Sequence, residues 1–147
     1  MNRRVVLAAR PTGVAQAEHF RIETAELAPL GDGEIRVRNR FLSVEPAMRG
    51  WIADAGNYSA PVPLGGVMRS LAVGEVVESR CAAYQLGETL CGWFGWQELA
   101  TVGPDAIVRR VAEHDLPPSL ALGVLGINGV TAHLALMMIG QPREGET

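Results

Sequence analysis

The chain has 147 residues and a mass of 15.7 kDa, enough for one domain or for one domain and the opening of a second. It is 48% hydrophobic and 20% charged, which supports a buried core and excludes a disordered tail. Its 13 basic and 16 acidic residues leave a net charge of −3, the wrong sign for a surface that displaces counterions from nucleic-acid phosphates.

Every basic residue is an arginine. A Schiff-base lysine, a lysine general base and a phosphate-loop lysine are therefore excluded within these residues. Cys81 and Cys91 are too few for a disulfide scaffold or a four-ligand structural zinc site, and read as reduced thiols of a cytoplasmic protein. Residues 1–7 carry charge and then a short apolar run that turns polar by Arg10-Pro11-Thr12, too soon for a signal-peptide core.

In chain order, residues 20–27 form a plausible strand, and Leu30-Gly31-Asp32-Gly33 a turn. Over residues 34–41, Ile35, Val37 and Phe41 share one parity and Arg36, Arg38 and Arg40 the other. That alternation predicts a strand with one solvated side, and the arginine stripe reads as that solvated face rather than a phosphate site. Pro46 is placed for the first turn of a short helix over 46–52, and residues 57–66 form a loop. Residues 71–79 read as a strand, with Gly74 as a bulge or a point of close approach. A strand rich in aromatics is predicted over 89–102, with Leu90, Gly92, Phe94 and Trp96 on one parity and Cys91, Trp93, Gly95 and Gln97 on the other. A short strand over 106–111 follows. Short strands with glycine-rich turns predict a mainly β fold, a closed or partly open barrel.

Composition changes after Asp115-Leu116-Pro117-Pro118. Residues 119–139 hold no acidic or basic side chain, but Asn128, Thr131, His133 and three glycines make them a buried helical pair rather than a membrane span. Ser119 and Asn128 are the expected helix caps, with the second helix over 130–139 stopped by Gly140 and Pro142. Such an apolar helix needs a partner layer, so the chain is expected to divide into a barrel domain over 1–118 and a helical connection over 119–147 to a further, truncated domain. His19, His114 and His133 lie far apart and form no metal-ligand spacing; His133 reads as a packed residue. Neither a G-x-S-x-G elbow nor a phosphate-cradling glycine motif occurs. Gly123, Gly126 and Gly129 have the wrong spacing, and read as sites of close backbone approach.

Three segments, in this order, resemble a known family: Leu42-Ser43-Val44-Glu45-Pro46-Ala47-Met48-Arg49-Gly50-Trp51, Gly92-Trp93-Phe94-Gly95-Trp96-Gln97-Glu98, and Leu122-Gly123-Val124-Leu125-Gly126-Ile127-Asn128-Gly129-Val130-Thr131-Ala132-His133. Together they are similar to the N-terminal, GroES-like half of zinc-independent medium-chain dehydrogenase/reductases, in the leukotriene B4 dehydrogenase, prostaglandin reductase and curcumin reductase branch. The resemblance implies a GroES-like, partly open barrel leading into a Rossmann domain that binds NADP, and reduction of the carbon–carbon double bond of a small, apolar α,β-unsaturated ketone or aldehyde. It implies a full-length homodimer, with no nucleic-acid or membrane partner.

Hydride addition to an enone β-carbon leaves negative charge on the carbonyl oxygen, which needs stabilisation in a dry pocket. Zinc-dependent relatives hold a metal near Val44 to Ala47 and Met68, where this chain has no cysteine or histidine. The resemblance assigns substrate contacts to Met48, Arg49, Trp93 and Phe94, and places Thr131 beside the nicotinamide carboxamide. Tyr58, in its loop, is a candidate hydrogen-bond donor to substrate and the weak catalytic candidate; Glu45 is disfavoured as an acid/base. Ala47, Arg69-Ser70-Leu71 and His133 depart from the family pattern, which bears on substrate size and polarity. A standalone chaperonin-10-like binding barrel without activity is the competing reading.

Overall fold

The computed structural model describes residues 1–54 and 59–146. Strands β1 (Asn2–Leu7) and β2 (Phe20–Ala25) form an antiparallel ribbon in which Arg4 pairs with Glu23 and Val5 with Ile22. The other strands are β3 (Ile35–Leu42), β4 (Ala72–Ser79), β5 (Thr89–Gly92), β6 (Leu99–Val102) and β7 (Ile107–Arg110). They make an antiparallel sheet in the order β6-β3-β4-β5-β7. Single bridges, Arg4 to Gln97 and Val6 to Val67, join ribbon to sheet. The result is the expected mostly β, open GroES-like barrel, ending in C-terminal helical turns. β1 escaped the sequence reading because its apolar residues, Val5, Val6 and Leu7, run consecutively instead of alternating.

Two larger apolar clusters fill it, beside a small one of Val73, Cys91 and Ala121. Ile35, Val37, Ala72, Val76, Leu90, Phe94 and Ala100 pack inside the sheet. Leu7, Met48, Trp51, Ile52, Val62 and Met68 pack between the ribbon and the short helix α1 (Met48–Trp51).

The solvated arginine stripe on β3 is corrected at one position. Arg36 is 6% exposed; its guanidinium pairs with Glu78 at 2.7 Å and donates to the Ala28 carbonyl and Thr101 Oγ1. Phe41, expected inside, is 42% exposed. The register between β3 and β4 shifts at Arg36/Val37 and again at Asn39/Phe41, and each shift breaks the parity that strict alternation assumes. Gly74 faces Asn39 at the second shift, where an added Cβ would meet the Arg38 carbonyl oxygen at 2.5 Å and Val37 Cγ1 at 2.6 Å. Close approach is therefore the reason for glycine.

The single strand expected over 89–102 is two strands, β5 and β6, separated by residues 93–98. Gly95 turns the chain at φ +69°, and the segment hydrogen-bonds to several other parts of the barrel. Trp96 N donates to Met68 O at 2.9 Å and Val5 N to Trp96 O at 2.8 Å. Asn39 Nδ2 donates to Gly95 O and Gln97 O, Asn2 Nδ2 to Gln97 Oε1, and Trp96 Nε1 to Ser43 O.

The C-terminal expectations change more. Ser119 lies inside a 3-10 turn, Pro118–Leu122, instead of capping a helix. Helix α2 (Ile127–Leu134) starts at Gly126 without a side-chain cap, so Asn128 is helical and not the cap. A π-helical turn (Ala135–Gly140) extends it to Gly140, as expected, where Gln141 takes a left-handed conformation. The expected burial of this pair is not found: Ala121, which packs with Val73 and Cys91, is the one residue of 119–139 in the buried core. Ile127, Val130, Leu134, Leu136, Met137, Met138 and Ile139 are exposed, because the turn at 135–140 only continues α2 and no second layer of described residues covers it. No described helix is long and apolar enough to cross a membrane.

Gly74→Ala tests the close approach at the second register shift. Overpacking of this kind costs about 1–3 kcal/mol, so the urea unfolding midpoint is expected to fall with the slope unchanged.

Candidate functional site

Three side chains meet at the corner where α1 faces the end of β5. Trp51, the last residue of α1, is 4% exposed. Trp93, just past β5, lies edge-on to it with ring centroids 6.0 Å apart and an interplanar angle of 69°, a geometry that sets a positive ring edge on a negative ring face. The Arg69 guanidinium sits 5.4 Å above the Trp51 ring and donates to Ser59 Oγ. Trp51 Nε1 is buried and has no hydrogen-bond acceptor among the described residues.

The residues expected at the site divide. Met48 is 6% exposed within the ribbon-side cluster. Arg49 is exposed and donates from Nη2 to Gly13 O at 2.9 Å; no carboxylate pairs with it among the described residues. Trp93 and Phe94 are adjacent in sequence but not in environment: Trp93 is 42% exposed, whereas Phe94, at 1%, belongs to the sheet core. Phe94 thus packs as a core residue rather than facing an open surface. Thr131 lies on exposed α2, and its Oγ1 donates to Ile127 O at 2.8 Å. Tyr58 lies outside the described residues.

Thus α1 carries Met48 into the cluster that holds Trp51, whose ring meets Trp93, while Arg49 reaches to Gly13 and Thr131 stands apart on a different element. Sequence reasoning missed Trp51 and Arg69 as members. A signal existed in Val67-Met68-Arg69-Ser70-Leu71, where a single cation interrupts an apolar stretch. Its neighbours Met68 and Ser70 are 1% and 0% exposed, and Arg69 between them is half-buried.

Cys91 lies near the other side of this strand end. Its Sγ approaches Ala121 O at 3.9 Å, and it is 2% exposed. Burial pushes its thiol up, a shift opposed by Arg109 and reinforced by Glu45. Among the described residues, no three of His, Cys, Asp or Glu group to hold a metal. A surface hollow of about 380 Å³ lies elsewhere, between Arg3, Ile22, Asn39, Trp96 and Glu98; none of the expected site residues lines it.

Residues 3–110 match the family described as the N-terminal domain of oxidoreductase. The chain is 45% identical over 146 residues to the NADPH-dependent curcumin reductase of Escherichia coli, covering 99% of this chain and 42% of that protein. It is 34% identical over 137 residues to pig prostaglandin reductase 1, covering 92% of this chain and 40% of the relative. The crystal structure of CurA from Vibrio vulnificus in complex with NADPH superposes with a TM-score of 0.86 at 37% identity, over 98% of this chain and 42% of that one. The chain belongs to the oxidoreductase N-terminal domain family, in the curcumin reductase and prostaglandin reductase branch of the zinc-independent medium-chain dehydrogenase/reductases. It spans about two fifths of the length of these relatives.

The described residues do not fit the pyrophosphate of a dinucleotide. Such a cradle needs open glycines and free N–H groups at a helix N-terminus. At α2, the space beside Gly126 is filled by the Ala121 carbonyl and that beside Gly129 by the Val124 carbonyl. The Gly129 N–H is already committed to Gly123 O at 3.3 Å.

Cys81 is half-buried and Cys91 buried, both as free thiols. Iodoacetamide is expected to label Cys81 first and Cys91 only after unfolding. Because the folded Cys91 pKa is raised, its stabilising contribution is complete below the unfolded thiol's pKa and is lost as pH rises through the folded value. A Cys91→Ala variant is expected to show a flatter alkaline fall of the thermal midpoint than the parent chain.

Proposed function

We propose that the full-length protein is an NADPH-dependent oxidoreductase that reduces the carbon–carbon double bond of small, apolar α,β-unsaturated ketones or aldehydes without zinc. This chain supplies its substrate side. The agreement along nearly the whole chain with an NADPH-dependent curcumin reductase carries the reading. A chaperonin-10-like binding barrel would not account for that agreement.

Within this function the barrel, residues 1–118, binds and orients substrate, and residues 119–147 lead to the domain that holds most of the NADPH. When bound, the cofactor supplies the hydride. Trp93 offers substrate an exposed aromatic wall, with Met48 packed at the base of α1 and Arg49 at its exposed edge. Phe94, in the core behind Trp93, acts by fixing the strand end. Tyr58 stays a candidate donor to the carbonyl oxygen. Thr131 is assigned to the cofactor's carboxamide: its hydroxyl hydrogen is engaged by Ile127 O, and its oxygen lone pairs are left to accept. The aromatic and aliphatic walls exclude water, which strengthens any hydrogen bond to the developing oxyanion. The apolar face of α2 favours a covering layer, consistent with a second domain and a homodimer, and the free thiols favour the cytoplasm.

NADPH oxidation by the full-length protein, followed with a panel of enones and enals, is expected to yield the saturated carbonyl compound. Absence of turnover with every unsaturated carbonyl would overturn the activity. Trp93→Ala is expected to raise KM about two- to ten-fold with a smaller change in kcat, from the ~0.5–1.5 kcal/mol of an aromatic contact. The 147-residue chain alone is expected to give no calorimetric NADPH binding; tight binding would refute the proposed division of labour.

A further inference from the structure

The corner formed by Arg69, Trp51 and Trp93 has a charge that no carboxylate among the described residues neutralises. Nine of the chain's 13 arginines pair with a carboxylate among the described residues: Arg3, Arg4, Arg10, Arg21, Arg36, Arg40, Arg80, Arg109 and Arg110. Arg69 is not among them. Its Nη1 donates to the neutral Ser59 hydroxyl, and its Nη2 and Nε make no hydrogen bond among the described residues. The Trp51 ring beneath it offers a quadrupole, which offsets only part of a full positive charge.

Arg69 is also held in place. Met68 N donates to Val5 O at 2.9 Å, Trp96 N to Met68 O at 2.9 Å, and Gly95 N to Ser70 O at 3.1 Å. With Met68 and Ser70 both buried, the root of the Arg69 side chain is fixed between two anchored residues. A preorganised guanidinium loses little entropy on accepting a partner. Its planar fork suits a carboxylate, which takes two parallel N–H donors. Trp93, edge-on to Trp51 and partly open to solvent, adds a wall for a flat conjugated body.

We infer that Arg69 is a specificity-determining residue that recognises a carboxylate on a planar, conjugated substrate, while Trp93 holds the substrate's ring. The inference deepens the enone-reductase reading by adding one terminal carboxylate to an otherwise apolar substrate, and rests on that reading for the identity of the ligand as substrate.

The test compares benzylideneacetone with its para-carboxylate, two ligands alike in conjugation and different in charge. Each is titrated into the chain and followed by intrinsic tryptophan fluorescence. The carboxylate is expected to bind about ten-fold more tightly, and added salt should erode that ratio. Arg69→Met should bring the ratio to about one, and Arg69→Lys should keep part of it because the charge stays and the fork is lost. Arg38→Met, which removes an exposed cation on β3, should leave the ratio intact.

Equal dissociation constants in the parent chain, binding of neither ligand, or a preference that survives in Arg69→Met would each overturn the inference. If Arg69→Met does not fold, as judged by its thermal transition, the Arg69→Lys ratio and the salt dependence decide. The saturated para-carboxylate of benzylacetone should show the same preference, since the contact does not involve the double bond. That result, obtained with a protein that reduces no enone, would separate failure of the reductase reading from failure of this one.

Discussion

The hydrogen bonds of residues 93–98 hold the molecule together. Within six residues the chain leaves β5, turns at Gly95, crosses to the β1–β2 ribbon and enters β6. Each of those changes strips backbone groups of ladder partners, and unpaired backbone groups are costly when water is excluded. The losses are made good by Asn2, Asn39 and Gln97, whose amides bond the segment's carbonyls and each other. The backbones of Arg3, Val5, Asn39, Met68, Ser70 and Ala106 bond the segment as well. Apart from this network, backbone hydrogen bonds join the ribbon to the rest of the barrel at residues 65–68, where Leu7 N donates to Gly66 O, Gly65 N to Leu7 O and Met68 N to Val5 O.

The same segment sets the character of the site. Because it turns between Phe94 and Trp96, it sends three neighbouring aromatics to three places: Trp93 toward α1, Phe94 into the sheet core, and Trp96 against Phe20 of the ribbon. Trp93 alone of these keeps a broadly open face. The Trp51 ring lies edge-on to it, and the Arg69 guanidinium sits over that same Trp51 ring. The corner is rigid through backbone hydrogen bonds rather than through charge pairing, which leaves a cation available to a ligand.

The C-terminal helical turns follow a different logic. Their apolar residues gain little from folding within this chain, since they remain in contact with water. Close contact between backbones, at Gly126 and Gly129, gives α2 its starting geometry and uses up the space and donors that a phosphate would need. Kinship with oxidoreductases whose other three fifths lie beyond the matched region accounts for both features under the proposed function: the helix face awaits a covering layer, and the nucleotide's charge is held elsewhere.

Much of this was legible in order along the chain. The strands β3, β4 and β7, the helix at Pro46, the role of Gly74 and the stop at Gly140 follow from alternation, proline and glycine placement, and apolar content. These are local properties, and local sterics and burial act on them directly. What the sequence could not carry was any feature created by register or by distant partners. Arg36 became a buried, paired residue because β3 slips against β4 and brings Glu78 beneath it. Trp93 and Phe94 separated because a turn, and not a strand, connects β5 to β6. Arg69 and Trp51 came together from α1 and from the segment before β4, with no shared motif to announce them. Composition and periodicity determined which residues prefer burial; only the tertiary hydrogen-bonding pattern decided which of them found it, since pairing across the barrel depends on where distant segments meet.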